Sequence, residues 1–238
     1  MNKVAYITGG SKGIGLGIAE ALLKEGYKVA ITARTQKAID EAVTKLKKIG
    51  KGDLLGIQSN VKNYADEAYA IQQVLDKWGQ LDVCIANAGV GKFVAIDEMS
   101  TDDWNAVIDT NLTGVFHTVK ASIPSLKKSK GYIMTIASLA GANFFQRGAA
   151  YNASKFGLVG FTQAVMLDVR PYEIKTTTIM PGSVSTYFNG RTPSEAESWK
   201  IQPEDIGQIV VDLLRMNPRT LPSKVEVRPT VPPSARKK

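Results

Sequence analysis

Cysteine and histidine are nearly absent. The 238 residues include one of each, Cys84 and His117. One thiol excludes an internal disulfide framework and a cysteine-based metal site. One imidazole rules out a multi-histidine metal centre, and no histidine-based triad is read from the chain, so the metal expectation is none. Cys84 lies in the apolar run Leu81–Ala86 and reads as a small buried hydrophobe. His117 reads as a packing side chain, or one facing a neighbouring subunit, with no chemistry assigned. Apolar runs of the ~20 residues that a membrane-spanning helix needs are missing. So is a signal-peptide pattern at the N-terminus. The expectation is a soluble cytoplasmic chain with no membrane partner. Internal repeats and interdomain linkers are missing as well.

What is present suits one α/β domain. Hydrophobic residues make up 44% of the chain and charged residues 22%, enough to build one core at this length. The net charge is +8. The cations are scattered, apart from the cluster Lys45, Lys47, Lys48 and the terminal Arg236-Lys237-Lys238. Scattered lysines do not make a nucleic-acid stripe, so no nucleic-acid partner is expected. A positive field that draws in a polyanionic cofactor fits better.

Short β-rich runs alternate with helical patterns. The strands read as Lys3–Thr8, Lys28–Thr32, Leu54–Ser59, Leu81–Ala86, Gly131–Ile136, Ile174–Met180 and Lys224–Arg228. Helices are expected from the glycine turn to Gly26, over Gln36–Ile49, Tyr64–Trp78 and Thr101–Leu126, after Tyr151, and over Pro203–Met216. Thr101 is the expected N-cap of the long helix, and Asn111 and Gly114 interrupt its middle. Such alternation predicts a doubly wound parallel sheet with helices on both faces. Ligands of these sheets sit at the carboxyl ends of the strands.

Several residues of the right chemistry fall at those ends. The first strand leads into Gly9-Gly10-Ser11-Lys12-Gly13-Ile14-Gly15 and then a helix. Glycines admit a pyrophosphate close to the backbone, and the helix N-terminus supplies N–H donors. The second strand ends at Arg34, where an acid would bind a ribose 2′-hydroxyl; a base suits a 2′-phosphate. Lys12 and Arg34 are expected to share that phosphate, which predicts NADP(H) over NAD(H). Asn60-Val61, Asn87-Ala88-Gly89 and Ser138 follow later strands. Tyr151 and Lys155, four residues apart, share a helix face. An ammonium there is expected to lower the phenol from its usual value of about 10 and ready it for proton transfer near neutral pH.

Together these residues resemble the short-chain dehydrogenase/reductase family, in its compact single-domain branch. The resemblance rests on Thr8-Gly9-x-x-x-Gly13-Ile14-Gly15, Asn87-Ala88-Gly89, Asn111, Ser138, Tyr151-x-x-x-Lys155 and Pro181-Gly182-x-Val184-x-Thr186. It implies a Rossmann-type sheet of seven mostly parallel strands over residues 1–238, with 183–202 as a substrate loop or lid and 229–238 as a C-terminal tail. It implies hydride transfer between a nicotinamide and a carbonyl or alcohol. Tyr151 would be the general acid, Ser138 would hold the substrate oxygen, and Lys155 would bind the nicotinamide ribose. Asn111 would help hold a water linking Lys155 to solvent, Asn87 would line the cofactor site, and Val184 and Thr186 would meet the carboxamide. A homodimer or homotetramer is implied too.

Three stretches depart from the family pattern. Asn60 stands where an Asp is usual, the segment Ser183–Trp199 is short for a lid, and the C-terminus lacks the glycine-rich ending. The proline-rich tail Pro229–Lys238 is expected to cross a surface or to be disordered. Phe93, Phe144, Phe145, Tyr187 and Phe188 flank the expected site and suggest an apolar or aromatic ketone, aldehyde or diketone as the small-molecule substrate. The alternatives are a 3-oxoacyl-[acyl-carrier-protein] reductase, a non-catalytic NADPH-binding regulator, and an isomerase or epimerase that uses bound nucleotide transiently.

Overall fold

The computed structural model describes residues 3–49, 52–232 and 235. Seven strands form one sheet: β1 Val4–Ile7, β2 Lys28–Ala33, β3 Leu54–Gln58, β4 Val83–Ala86, β5 Tyr132–Ile136, β6 Lys175–Pro181 and β7 Lys224–Val227. Their order is β3-β2-β1-β4-β5-β6-β7, and every neighbouring pair is parallel. The order reverses between β1 and β4, so a crevice opens there outside the strand ends. This is the Rossmann-type doubly wound arrangement expected from the sequence. Among the described residues, no helix is long and apolar enough to cross a membrane.

Among the described residues, seven α-helices cover the sheet: α1 Gly13–Lys24, α2 Gln36–Leu46, α3 Tyr64–Trp78, α4 Thr101–Ile108, α5 Gly114–Ser129, α6 Ala149–Val169 and α7 Pro203–Arg215. Alternating residues of each strand enter opposite cores. On β1, Ala5 and Ile7 join the layer under α1, α2 and α7. Val4 and Tyr6 join the layer under α3, α5 and α6. Burial on both faces explains why β1 and β4 are apolar throughout rather than alternating.

Two expectations are corrected. Ser100 caps α4, accepting from Asp103 N at 3.1 Å, and Thr101 is the first helical residue. Nor is Thr101–Leu126 one regular helix. A π-helical turn at Asp109–Thr113 separates α4 from α5. Asn111 sits in that turn, which swings its side chain out of helical register and into the interior.

α1 and α7 pack unusually closely. A Cβ on Gly17 would lie 2.5 Å from Pro203 O, and one on Gly207 would lie 2.6 Å from Gly17 O. The clash is with backbone, so the helices would have to part. Gly17→Ala is expected to destabilise the chain by about 1–3 kcal/mol, lowering Tm by several degrees at this length. A thermal melt checks this, and an unchanged Tm contradicts it.

Candidate active site

Everything converges on the rim where β1 and β4 part. Thr8, 1% exposed, follows β1. Its Oγ1 accepts from Asn87 N (3.0 Å) and Ala88 N (3.1 Å). In return the Asn87 side-chain amide donates to Thr8 O (2.9 Å) and Gly9 O (3.2 Å). This clamp spans the switch point and fixes the start of the glycine turn. Gly9 sits at φ +65°, a conformation that favours glycine. A Cβ on Gly15 would lie 2.4 Å from Gly9 O, so α1 can begin this close to the turn only with glycine there.

A cleft of about 1720 Å³ runs along the rim. The expected cofactor residues Gly9, Ser11, Lys12, Gly13, Ile14, Arg34, Asn60, Val61, Asn87, Ala88, Gly89, Pro181, Gly182, Val184 and Thr186 line it, together with Ser138, Tyr151 and Lys155. Gly15 and Asn111 stand behind the wall and do not line it. At one end Lys12 and Arg34 are both exposed, and neither forms an ion pair among the described residues. The nearby acid lining the cleft, Glu41, faces Lys37 at 4.0 Å. The Asn60 side chain accepts from Lys62 N at 3.3 Å, while its own N–H donates to Asp66 at 3.1 Å.

The other end holds Ser138, Tyr151 and Lys155. Ser138 follows β5, and its Oγ caps a short 3₁₀ turn by accepting from Ala140 N at 3.1 Å. Tyr151 and Lys155 lie on the first turns of α6. Lys155 is buried and donates to Ile136 O at 2.9 Å; its Nζ is 5.7 Å from the Tyr151 ring centre. Asn111 is fully buried beneath them. It accepts from Val90 N (2.8 Å) and donates to Val90 O (2.9 Å) and Ser154 Oγ (3.1 Å). Asn111 therefore ties the π-turn, the loop after β4 and α6 into one unit.

The electrostatics differ from expectation in one respect. Burial pushes the Tyr151 phenol above its usual value, and the Ser138 hydroxyl pulls it part of the way back. Burial also draws Lys155 from 10.5 down to about 8. The sequence leads one to expect the ammonium to lower the phenol, but desolvation outweighs any such effect at this separation. Cys84 behaves as expected: burial pushes its thiol up to about 12, leaving it inert.

Aromatic side chains surround the phenol. Phe93 meets Tyr151 edge-on at 5.5 Å and Phe145 at 5.5 Å, and Phe188 lies 5.7 Å from Tyr151. Phe144 and Tyr187 line the outer mouth, largely exposed. The 183–202 segment is pinned at its base, where Val184 bridges to Ile201 and Ser185 N donates to Ile201 O at 2.9 Å. Its Trp199 and Lys200 face the cleft.

Some cleft residues escaped the sequence. Ser154 acts on Asn111 from behind, and Asn143, Gln146, Arg147 and Arg191 line the outer cleft. No local sequence pattern marks them, because they reach the site only in the assembled fold. Arg228 and, from the tail, Pro229 and Pro232 line the cleft, because Gly182 N donates to Val227 O at 2.8 Å and delivers the chain there. The remaining tail residues 233, 234 and 236–238 lie outside the described residues.

The pattern described as short chain dehydrogenase matches residues 3–197. An uncharacterised oxidoreductase of Staphylococcus saprophyticus is 31% identical over 229 residues, covering 96% of this chain and 97% of that one. A 3-oxoacyl-[acyl-carrier-protein] reductase of Synechocystis is 37% identical over 77% of this chain and 75% of its own length. Among solved structures, an alcohol dehydrogenase of the archaeon Thermococcus sibiricus complexed with 5-hydroxy-NADP superposes with a TM-score of 0.92. It is 27% identical, covering 100% of this chain and 99% of that one. A metagenomic short-chain oxidoreductase in complex with NADP gives a TM-score of 0.84 at 31% identity, covering 97% of this chain and 98% of that one.

Replacing Thr8 by the near-isosteric Val removes the acceptor for two amides at the switch point. Thr8→Val is expected to cost about 1–3 kcal/mol per orphaned buried group, read as a lower urea midpoint at unchanged m-value. An unshifted midpoint contradicts the clamp.

Proposed function

The chain belongs to the short-chain dehydrogenase family, and from that premise we propose that it is an NADPH-dependent oxidoreductase reducing a carbonyl to an alcohol. The observation that carries the reading is one continuous cleft lined both by two cations that form no ion pair among the described residues and by a hydroxyl–phenol–ammonium set. The glycine turn and the α1 N-terminus suit a pyrophosphate. Lys12 and Arg34 suit a 2′-phosphate, and the NADP complexes of the similar structures support that choice. A cleft of about 1720 Å³ has room for a dinucleotide beside a small substrate.

Bound NADPH supplies the hydride. The chain's own residues orient the substrate and manage its charge. As the carbonyl carbon is reduced, negative charge grows on its oxygen. Ser138 and Tyr151 donate hydrogen bonds to that oxygen, and Tyr151 gives up its proton. A phenol held above its usual value stays protonated at neutral pH, which suits a proton donor in the reductive direction. Lys155 holds the ribose hydroxyls and stabilises the phenolate left behind. Asn111 keeps α6 and the π-turn in register and helps retain a water behind Lys155.

Phe93, Phe145 and Phe188 around the phenol favour an apolar or aromatic carbonyl. The 3-oxoacyl reading is the second one, supported by the relative from Synechocystis and by Arg147, Arg191 and Arg228 on the outer rim. A lid role for residues 183–202 and assembly into a homodimer or homotetramer belong to the same proposal, as does a cytoplasmic site of action.

NADPH and NADH oxidation against aldehydes, ketones, diketones and 3-oxoacyl thioesters tests the reading. Turnover is expected with NADPH and to fall by about 10²–10⁴ in Tyr151→Phe, with NADPH binding retained. Equal or better turnover with NADH contradicts the 2′-phosphate assignment. Full activity in Tyr151→Phe contradicts the proton donor.

The pH profile gives a second check. Because burial lowers Lys155 to about 8, the ammonium is present below that pH and lost above it. kcat/KM for reduction, which reports the free enzyme, is expected to fall as pH rises through about 8. A flat profile from pH 7 to 10 contradicts the role given to Lys155.

A further inference from the structure

Glu67, on α3, is a carboxyl with no exposure and no role in the chemistry above. Three hydroxyls donate to it: Ser59 at 2.6 Å, Thr118 at 2.7 Å and Tyr6 at 3.1 Å. They come from the end of β3, from α5 and from β1. Burying a carboxyl is costly unless it is well hydrogen-bonded, so a site with three converging donors is a built one. Burial pushes this carboxyl up and the hydroxyls pull it back.

What the network holds is a wall of the cleft. Ser59, Asn60 and Val61 all line it, beside Arg34. Each of the three is fixed by a different side chain from outside. Glu67 holds the Ser59 hydroxyl, Asp66 holds Asn60 N, and His117 holds Val61 O at 2.9 Å. A carbonyl can only accept, so His117 Nδ1 carries the proton. Val61 also leans on the start of α5, where a Cβ on Gly114 would lie 2.7 Å from its Cγ2. Neither Glu67 nor His117 lines the cleft, so any effect they have on a ligand runs through these three residues.

We propose that Glu67 and His117 are positioning residues that preorganise the Ser59–Val61 wall for the adenosine half of the cofactor. Their contribution is to affinity, because a wall already ordered loses less freedom on binding. Asn111 is held separately by Val90 and Ser154, so the reacting end does not depend on them. The inference rests on the dinucleotide reading of the cleft.

Dissociation constants for NADPH and NADH, measured on the full chain by nicotinamide fluorescence, test it; the variants are compared with whichever dinucleotide the wild type binds. Ser59→Ala and His117→Leu are each expected to weaken binding about three- to tenfold, the range a single hydrogen bond supports. His117→Asn, whose amide can reach Val61 O from the Nδ1 position, is expected to restore it. Tyr6→Phe removes a hydrogen bond to the same carboxylate from the sheet side. It is expected to lower Tm while leaving the dissociation constant within twofold. Wild-type affinity in His117→Leu, equal weakening in His117→Leu and His117→Asn, or weakening in Tyr6→Phe matching that in Ser59→Ala would overturn the proposal. A wild type that binds neither dinucleotide overturns the dinucleotide reading itself, and the inference with it.

Discussion

The reciprocal hydrogen bonds between Thr8 and Asn87 hold the point on which the site depends. In a parallel sheet every strand delivers its carboxyl end to the same rim, but the rim opens only where the strand order reverses. There the β1 and β4 ends lead into separate loops, tied to the sheet by the backbone bonds Thr8 N to Ile85 O (3.1 Å) and Gly10 N to Thr32 O (3.0 Å), and the side chains add to these. Thr8 accepts two amides from the β4 end, and the Asn87 amide returns two bonds to the β1 end. The glycine turn, α1 and the loop leading to Asn111 all start from this clamp.

The reacting end is a second rigid unit. Asn111 is buried in a π-turn and joined by hydrogen bonds to Val90 and Ser154. A regular helix would point that side chain elsewhere. The extra residue of a π-turn lets one amide satisfy two other elements at once, consistent with the frequent use of such turns at functional sites. Desolvation then sets the proton chemistry. It raises Tyr151 and lowers Lys155 toward neutrality, leaving a phenol that keeps its proton, as the proposed donor role requires, and a cation that can lose its own.

Much of this was legible in the sequence. The strand–glycine–helix order, Arg34 at the end of β2 and the Tyr151/Lys155 pair on α6 follow from local pattern, and the structure gathers them along one cleft. The π-turn was legible only as an anomaly, since Asn111 and Gly114 looked like interruptions of one long helix. The rise of the Tyr151 phenol was not legible, because burial is a property of the assembled fold and sequence spacing shows only the nearby charge. His117 packs as read, against Tyr64 and Phe116, but its bond to Val61 O was out of view for a similar reason, since the partner is distant in sequence. The path of the chain after β7 along the cleft was hidden in the same way, since it follows from a hydrogen bond between Gly182 and Val227. Glu67 gave no signal at all, since a glutamate in the first turns of a helix ordinarily reads as a solvated charge.

The account joins a cofactor cradle to a proton donor across one cleft, so its central claim is direct hydride transfer. NADPH deuterated at the transferable C4 position, used to reduce the best carbonyl from the panel, tests this by mass spectrometry of the product. The account predicts one deuterium on the new carbinol carbon. Product without deuterium from either C4-labelled stereoisomer of NADPH would contradict it.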